Sequence, residues 1–122
     1  MVGFSQARVA PIACLLFWAA LLFALVMALS PRPPITVEVM DKWQHMAAFG
    51  ALTVLACAAW PHAPLFRIAE RLSFLGAMIE LVQSIPALHR DCDIMDWVAD
   101  TAIILGVVLV VAAARTGRPR RL

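Results

Sequence analysis

A set of ionisable and amide side chains stands out against an otherwise apolar chain: Asp41, Lys42, His45, Glu80, Gln83, Arg90, Asp93, Asp96 and Asp100. Each type has a chemistry to offer. His45 titrates near neutrality and a buried Glu80 would hold its proton to higher pH, so this pair could act as general base and general acid. Lys42 and Arg90 suit a phosphate or carboxylate, Arg90 through its planar fork, with Gln83 and His45 as orienting hydrogen-bonders. Asp93 and Asp96 together suit a divalent cation.

Spacing groups these residues into stripes. Lys42 and His45 are one helical turn apart and Phe49 continues the same face, while Glu80 and Gln83 repeat that spacing. Asp93, Asp96 and Asp100 follow at intervals of three and four, which stacks their carboxylates on one side of a helix. Acids on one stripe repel, so Lys42, Arg90, a bound cation or a raised pKa must compensate them. Several of the same residues also have purely structural roles open to them. Asp41 could cap a helix start, Asp93 or Asp96 could cap another, Lys42 could snorkel, Glu80 could sit in an ion pair, and Asp91 could simply be solvated.

The elements that carry these residues belong in a bilayer. In a chain of 122 residues, 63% are hydrophobic and 15% charged, and the mean hydropathy is +0.87. Those values lie outside the soluble globular range. The length fits one domain over residues 1–122, and neither composition nor charge indicates nucleic-acid binding. Four apolar segments are expected, at approximately 11–29, 42–60, 66–84 and 97–114. The first has no charge and the fourth has none after Asp100. The second is bracketed by Trp43 and Trp60, residues typical of membrane interfaces. The third is the least apolar, with Arg67, Glu70 and Arg71 in its first turns and Glu80 and Gln83 further on.

Basic residues orient the segments. If all four cross, Arg8, Arg67, Arg71, Arg115, Arg118, Arg120 and Arg121 share one side, and only Arg32, Lys42 and Arg90 lie on the other. The Arg-rich side is then cytoplasmic. The expected fold is an all-α membrane protein, a four-transmembrane-helix bundle with both termini inside, in the bacterial cytoplasmic membrane. Glu38, Asp41, Asp91, Asp93 and Asp96 then face out. The first segment, with small residues Ala28 and Ser30 ahead of Pro31 at its end, also has the pattern of a cleavable signal. It is longer than the roughly 7–15 residues of a signal's apolar core, so a retained span is expected. The run from Ser30 to Pro34 is a stiff connector, and Pro86 ends the third segment ahead of a short return. Cys14 and Cys57 read as small hydrophobes within spans, and Cys92 is assigned no role.

Between Asp41 and about Leu105 the chain resembles the VanZ-like membrane proteins, a family named for a teicoplanin-resistance accessory protein. One block is Asp41-Lys42-Trp43-Gln44-His45 followed by Phe49. The other is Ile79-Glu80-Leu81-Val82-Gln83 followed by Arg90, Asp93, Asp96 and Asp100. The chain departs from the family pattern at Asp100, where Asn is more usual, and at Ile103, where Gly commonly follows. The first departure makes the site more acidic, and the second implies looser packing against a neighbouring helix. The resemblance implies a four-span fold, a membrane location and a link to glycopeptide susceptibility, without a reaction.

Three functional readings follow. In the first, an extracytoplasmic pocket binds an anionic lipid or a lipid-linked envelope intermediate through Lys42 and Arg90, with Asp41, Gln83, Asp93, Asp96 and Asp100 completing it. In the second, the chain is a membrane-embedded hydrolase or transferase using His45 and Glu80 beside a cation held by Asp93 and Asp96. In the third it moves ions or protons, against which the inner halves of the first and fourth segments are wholly apolar. A bundle this small also has reason to associate with itself or with another membrane protein.

Overall fold

The computed structural model describes residues 2–30, 38–85 and 94–117, with side-chain positions for 9–30, 43–85 and 94–117. Four helices make up this part of the chain: α1 (Val2–Leu29), α2 (Glu38–Ala59), α3 (Leu65–Gln83) and α4 (Ile94–Thr116). No strand occurs among the described residues. The all-helical expectation holds: α1, α2 and α4 start ahead of the segments expected at 11–29, 42–60 and 97–114, and α3 matches 66–84 to within one residue at each end. Two helices are long and apolar enough to cross a membrane, over Val9–Leu29 and Ile94–Thr116, and α2 contributes a shorter apolar stretch, Trp43–Ala59. The expectation of four such helices is met by two. Asp41 and Lys42 shorten the apolar part of α2, and Arg67, Glu70, Arg71 and Glu80 dilute α3.

Local chemistry explains the boundaries. Pro11 lies inside α1 and withholds one helical donor. Past α2 the chain turns tightly, with the Trp60 amide still bonded to the Ala56 carbonyl at 2.9 Å and the Ala63 amide to Trp60 at 3.1 Å. Pro64 then opens α3 in extended conformation, and its carbonyl accepts the amides of Arg67 at 3.0 Å and Ile68 at 3.2 Å. At the far end of α3 the Ser84 amide closes the last turn onto the carbonyls of Glu80 at 3.1 Å and Leu81 at 3.2 Å.

Contacts between helices fix their directions. Gly50 on α2 lies beside Ile103 on α4, and a Cβ at Gly50 would sit 3.5 Å from Ile103 Cγ1. Further along both helices, Arg115 Nη2 donates to the Cys57 carbonyl at 3.4 Å, so α2 and α4 run parallel. On α3, Ser73 meets Thr101 through their hydroxyls at 2.9 Å, and Gly76 meets Trp97, so α3 runs against α4. Gln83 near the end of α3 bonds to Ala28 near the end of α1, so α1 and α3 share a direction. The result is an alternating bundle in which α2 packs on α1 and α4, and α3 packs on α4 and closes against α1.

The shared core comes from Phe17, Phe49, Leu52, Leu72, Ile79 and Ile104, together with small residues such as Ala56 and Ala69. Ile103 is half-buried and lies beside Gly50 on α2, where an added Cβ would meet its Cγ1 at 3.5 Å, and the two residues line a groove between α2 and α4. Outside the core, large apolar side chains face away from the bundle on every helix: Leu15 and Phe23 on α1, Val54 on α2, Phe66 and Phe74 on α3, Leu109 and Val110 on α4. A soluble monomer rarely exposes apolar surface all the way round.

Candidate functional site

Helix directions decide which polar residues can meet. The start of α2, the end of α3 and the start of α4 lie at one end of the bundle, as the contacts among Gly50, Ile103, Ser73, Thr101 and Trp97 require. Within that end, the candidate residues occupy the inward stripes. On α3 the buried positions are Ile68, Ala69, Leu72, Gly76, Ile79, Glu80 and Gln83, a single helical face that carries the carboxylate and the amide inward. On α4 they are Asp100, Ile104 and Val108, with half-buried Asp96 one turn earlier on the same stripe. On α2, half-buried His45 precedes buried Phe49 by four residues.

Register refines the picture. Counting back from the Gly50–Ile103 contact at about 1.5 Å per residue, His45 comes level with Val98, between Asp96 and Asp100. Counting from the Ser73–Thr101 pair in the same way, Glu80 comes level with Ile94, about 6 Å nearer the end of the bundle than His45. The structure therefore places His45 at a level between Asp96 and Asp100 on the facing helix, with Glu80 about a turn further out and Gln83 nearly two. Two aromatic rings pack beside them. A Cβ at Gly76 would lie 3.4 Å from Phe49 Cζ and 3.5 Å from Trp97 Cδ1, so both rings close over the glycine.

Burial separates the members. Glu80 is 6% exposed, Gln83 3% and Asp100 2%. Oε1 of Glu80 and Oδ1 of Asp100 are shut off from solvent and accept no hydrogen bond among the described residues. Glu80, Asp100, His45 and Asp96 each have a further hydrogen-bonding or electrostatic interaction, so none stands alone. Burial is costly for a carboxylate unless it is protonated or compensated, and both acids are held in this setting by apolar neighbours on their own stripes.

Gln83 has a defined structural task. Its Nε2 donates to the Ala28 carbonyl at 2.8 Å, one of the carbonyls that the end of α1 leaves without an intrahelical donor. It thus ties α3 to the last turn of α1 and shapes the rim of the polar end. Arg115 does the equivalent for α2 at the opposite end through the Cys57 carbonyl. There Phe17 packs edge-on to Trp60 with centroids 5.0 Å apart, and Trp18 lies edge-on to Phe17 at 5.2 Å.

Of the capping roles considered from sequence, that of Asp41 is corrected, and of the pair Asp93 or Asp96 only Asp96 falls within the described residues. Because α2 starts at Glu38, Asp41 lies inside its first turns and is not the residue that caps it. Asp96 belongs to the first turn of α4, where a carboxylate favours the helix dipole without being the cap. The side chains of Asp41 and Lys42, and the whole of Arg90 and Asp93, lie outside the described residues. So do Pro86, Asp91 and Cys92. Among the described residues no three His, Cys, Asp or Glu side chains are grouped to hold a metal, and the expected Asp93–Asp96 cation pair falls partly outside them.

Sequence reasoning passed over the hydroxyls between α3 and α4. Ser73 pairs with Thr101, and the Trp97 indole N–H donates to the Ser73 carbonyl at 2.9 Å, so this side of the site is fixed by a polar clamp. Thr53, wholly buried, satisfies itself by donating to the Phe49 carbonyl at 2.6 Å. The available signal was hydroxyls facing each other in mid-helix, legible only once the register of α3 on α4 is known. Compared with protein-family models, with curated proteins and with solved structures, the chain finds no match.

Proposed function

We propose that the chain is a VanZ-like multi-pass protein of the bacterial cytoplasmic membrane, with all four helices spanning and both termini inside. Its polar end then faces out and forms a pocket for an anionic lipid or a lipid-linked envelope intermediate, with a bearing on glycopeptide susceptibility. The observation that carries this reading is convergence. His45, Glu80, Gln83, Asp96 and Asp100 come from three helices and more than fifty positions of sequence, yet all lie on inward stripes at one end of the bundle. Ionisable groups kept inside an apolar helical bundle mark functional sites by default.

The outward apolar surface of all four helices supports insertion of α2 and α3 alongside the two more hydrophobic helices. The basic flanks support the orientation: Arg67, Arg71 and Arg115 belong with the end opposite the polar residues. In this pocket Lys42 and Arg90 would hold the anionic group, and the acids would position those bases and exclude competing anions. Purified full-length chain in lipid nanodiscs should bind an undecaprenyl-diphosphate-linked wall precursor. Arg90→Ala should weaken that binding about tenfold or more, as the loss of one charge-assisted contact requires. Glu80→Gln should also weaken it while leaving the chain folded. Equal binding by the parent and both variants would remove the pocket from consideration.

A further inference from the structure

A groove runs along the outward side of the contact between α2 and α4. Its volume is about 430 Å³, and apolar residues alone line it. Small residues make it. Ala47, Gly50 and Ala51 on α2 carry nothing longer than a methyl, and so leave a recess against Ile103 and Val107 of α4. Trp43 stands at one end of the recess, 63% exposed, and Val54 at the other, 52% exposed.

Register sets its place and length. Gly50 lies beside Ile103 and the two helices run parallel, so seven residues back Trp43 comes level with Asp96. Asp96 and Ile103 are two turns apart on one face of α4. The mouth of the groove is therefore at the polar end, between a tryptophan of the kind that marks membrane interfaces and a carboxylate of the candidate site. From Trp43 to Val54 the groove runs about 16 Å at 1.5 Å per residue, half of a hydrocarbon core about 30 Å thick. In the four-span reading with its outer polar pocket, on which this inference rests, the groove starts at the outer headgroups and ends near the midplane. That is the depth of one leaflet.

Width decides what can lie in it. Volume over length gives a section of roughly 26 Å². A helix about 10 Å across with its side chains needs about 80 Å², so neither a partner's spanning helix nor one from a second copy fits. A single carbon chain does, because packed carbons stand about 3.5–4.0 Å apart. A glycerolipid brings two chains to a recess that holds one. A polyprenyl lipid brings one, with a methyl branch on every fourth backbone carbon. Four zigzag carbon–carbon bonds advance about 5 Å, close to the helical pitch of about 5.4 Å that separates Ala47 from Gly50 and Ala51.

We propose that the groove between α2 and α4 seats the hydrocarbon chain of the ligand whose polar head lies at the end of the bundle, and that this ligand is a single-chain polyprenyl phosphate. About three isoprene units span its 16 Å, and the rest of the chain runs on into the bilayer. The polar end and the groove are then one continuous site for a molecule with a charged head and one branched tail.

Photolabelling of the full-length chain in nanodiscs of phosphatidylethanolamine and phosphatidylglycerol tests it, with undecaprenyl phosphate carrying a diazirine in the third isoprene unit from the phosphate as probe. Irradiation should attach the probe to residues 47–54 and to Ile103 or Val107, and excess unlabelled undecaprenyl phosphate should lower that labelling at least tenfold. Ala51→Phe fills the recess from an exposed position and should also lower it at least tenfold. Ala47→Phe, exposed nearer the mouth, should do the same, while Leu109→Phe on another face of α4 should leave it unchanged. Labelling that is competed by undecaprenyl phosphate but falls on other faces, or persists in both groove variants, would overturn the groove and leave the polar pocket standing. Equal competition by a diacyl phosphatidic acid, which has the same phosphate on two chains, would overturn the single prenyl chain. No competed labelling anywhere on the parent chain would remove the pocket and the groove together.

Discussion

Replacing Ile104 by Ala should cost the bundle about 2–5 kcal/mol of stability, while Leu109→Ala should change it by no more than about 0.5 kcal/mol. The two residues are five positions apart on one strongly apolar helix, and hydropathy cannot separate them. Packing does. Ile104 is 0% exposed and Leu109 is 69% exposed. Removing the buried side chain opens a cavity among α2, α3 and α4 that neither lipid nor water can fill, and the walls of that cavity forfeit the dispersion attraction of close-packed carbon against carbon. The exposed side chain exchanges one apolar surround for another, so its loss in a bilayer is nearly neutral. Thermal or denaturant unfolding of the purified chain in mild detergent reads both. Equal effects would mean that α4 is not packed on the face described.

Asp100→Ala should be nearly as damaging, and Asp100→Asn should not. Asp100 is 2% exposed, one turn from Ile104 on the same stripe, and it makes a polar interaction inside the protein. Truncation to Ala leaves whatever it serves buried without a partner, a loss of about 1–3 kcal/mol, more for a charged group. Asn keeps the shape and a carbonyl acceptor, and removes the charge whose burial is costly. The expected order of unfolding midpoints is therefore parent close to Asp100→Asn, with Asp100→Ala well below. A collapse in the Asn variant as deep as in the Ala variant would show that the negative charge itself holds the structure, through a cationic partner.

The helices were legible because apolar runs of the right length and proline-rich breaks mark them, and their order follows from the chain. Their ends were less so. The second apolar segment is expected from residue 42 with Asp41 as a possible cap, yet α2 begins at Glu38, since nothing in residues 38–41 forbids a helix. Membership of Glu80, Gln83 and Asp100 in a buried end was foreseeable from spacing, because residues three or four apart must share a face. Their partners were not. Gln83 serves a carbonyl 55 positions away, and Gly50 on α2 lies beside Ile103 on α4. Both facts depend on how the helices are placed sideways, which periodicity along one helix does not encode.

The central claim is that the polar end of the bundle opens outside the cell and the arginine-rich end inside. The sulfhydryls report it most directly. In intact cells a membrane-impermeant maleimide should label Cys92, which follows α3 in sequence, and should leave a Cys92→Ser chain unlabelled. An Arg115→Cys substitution in that second chain, at an exposed position on the last turn of α4, should stay unlabelled until the membrane is permeabilised. Labelling of position 115 from outside with Cys92 protected would reverse the orientation, and labelling of both without permeabilisation would contradict a spanning α4 altogether.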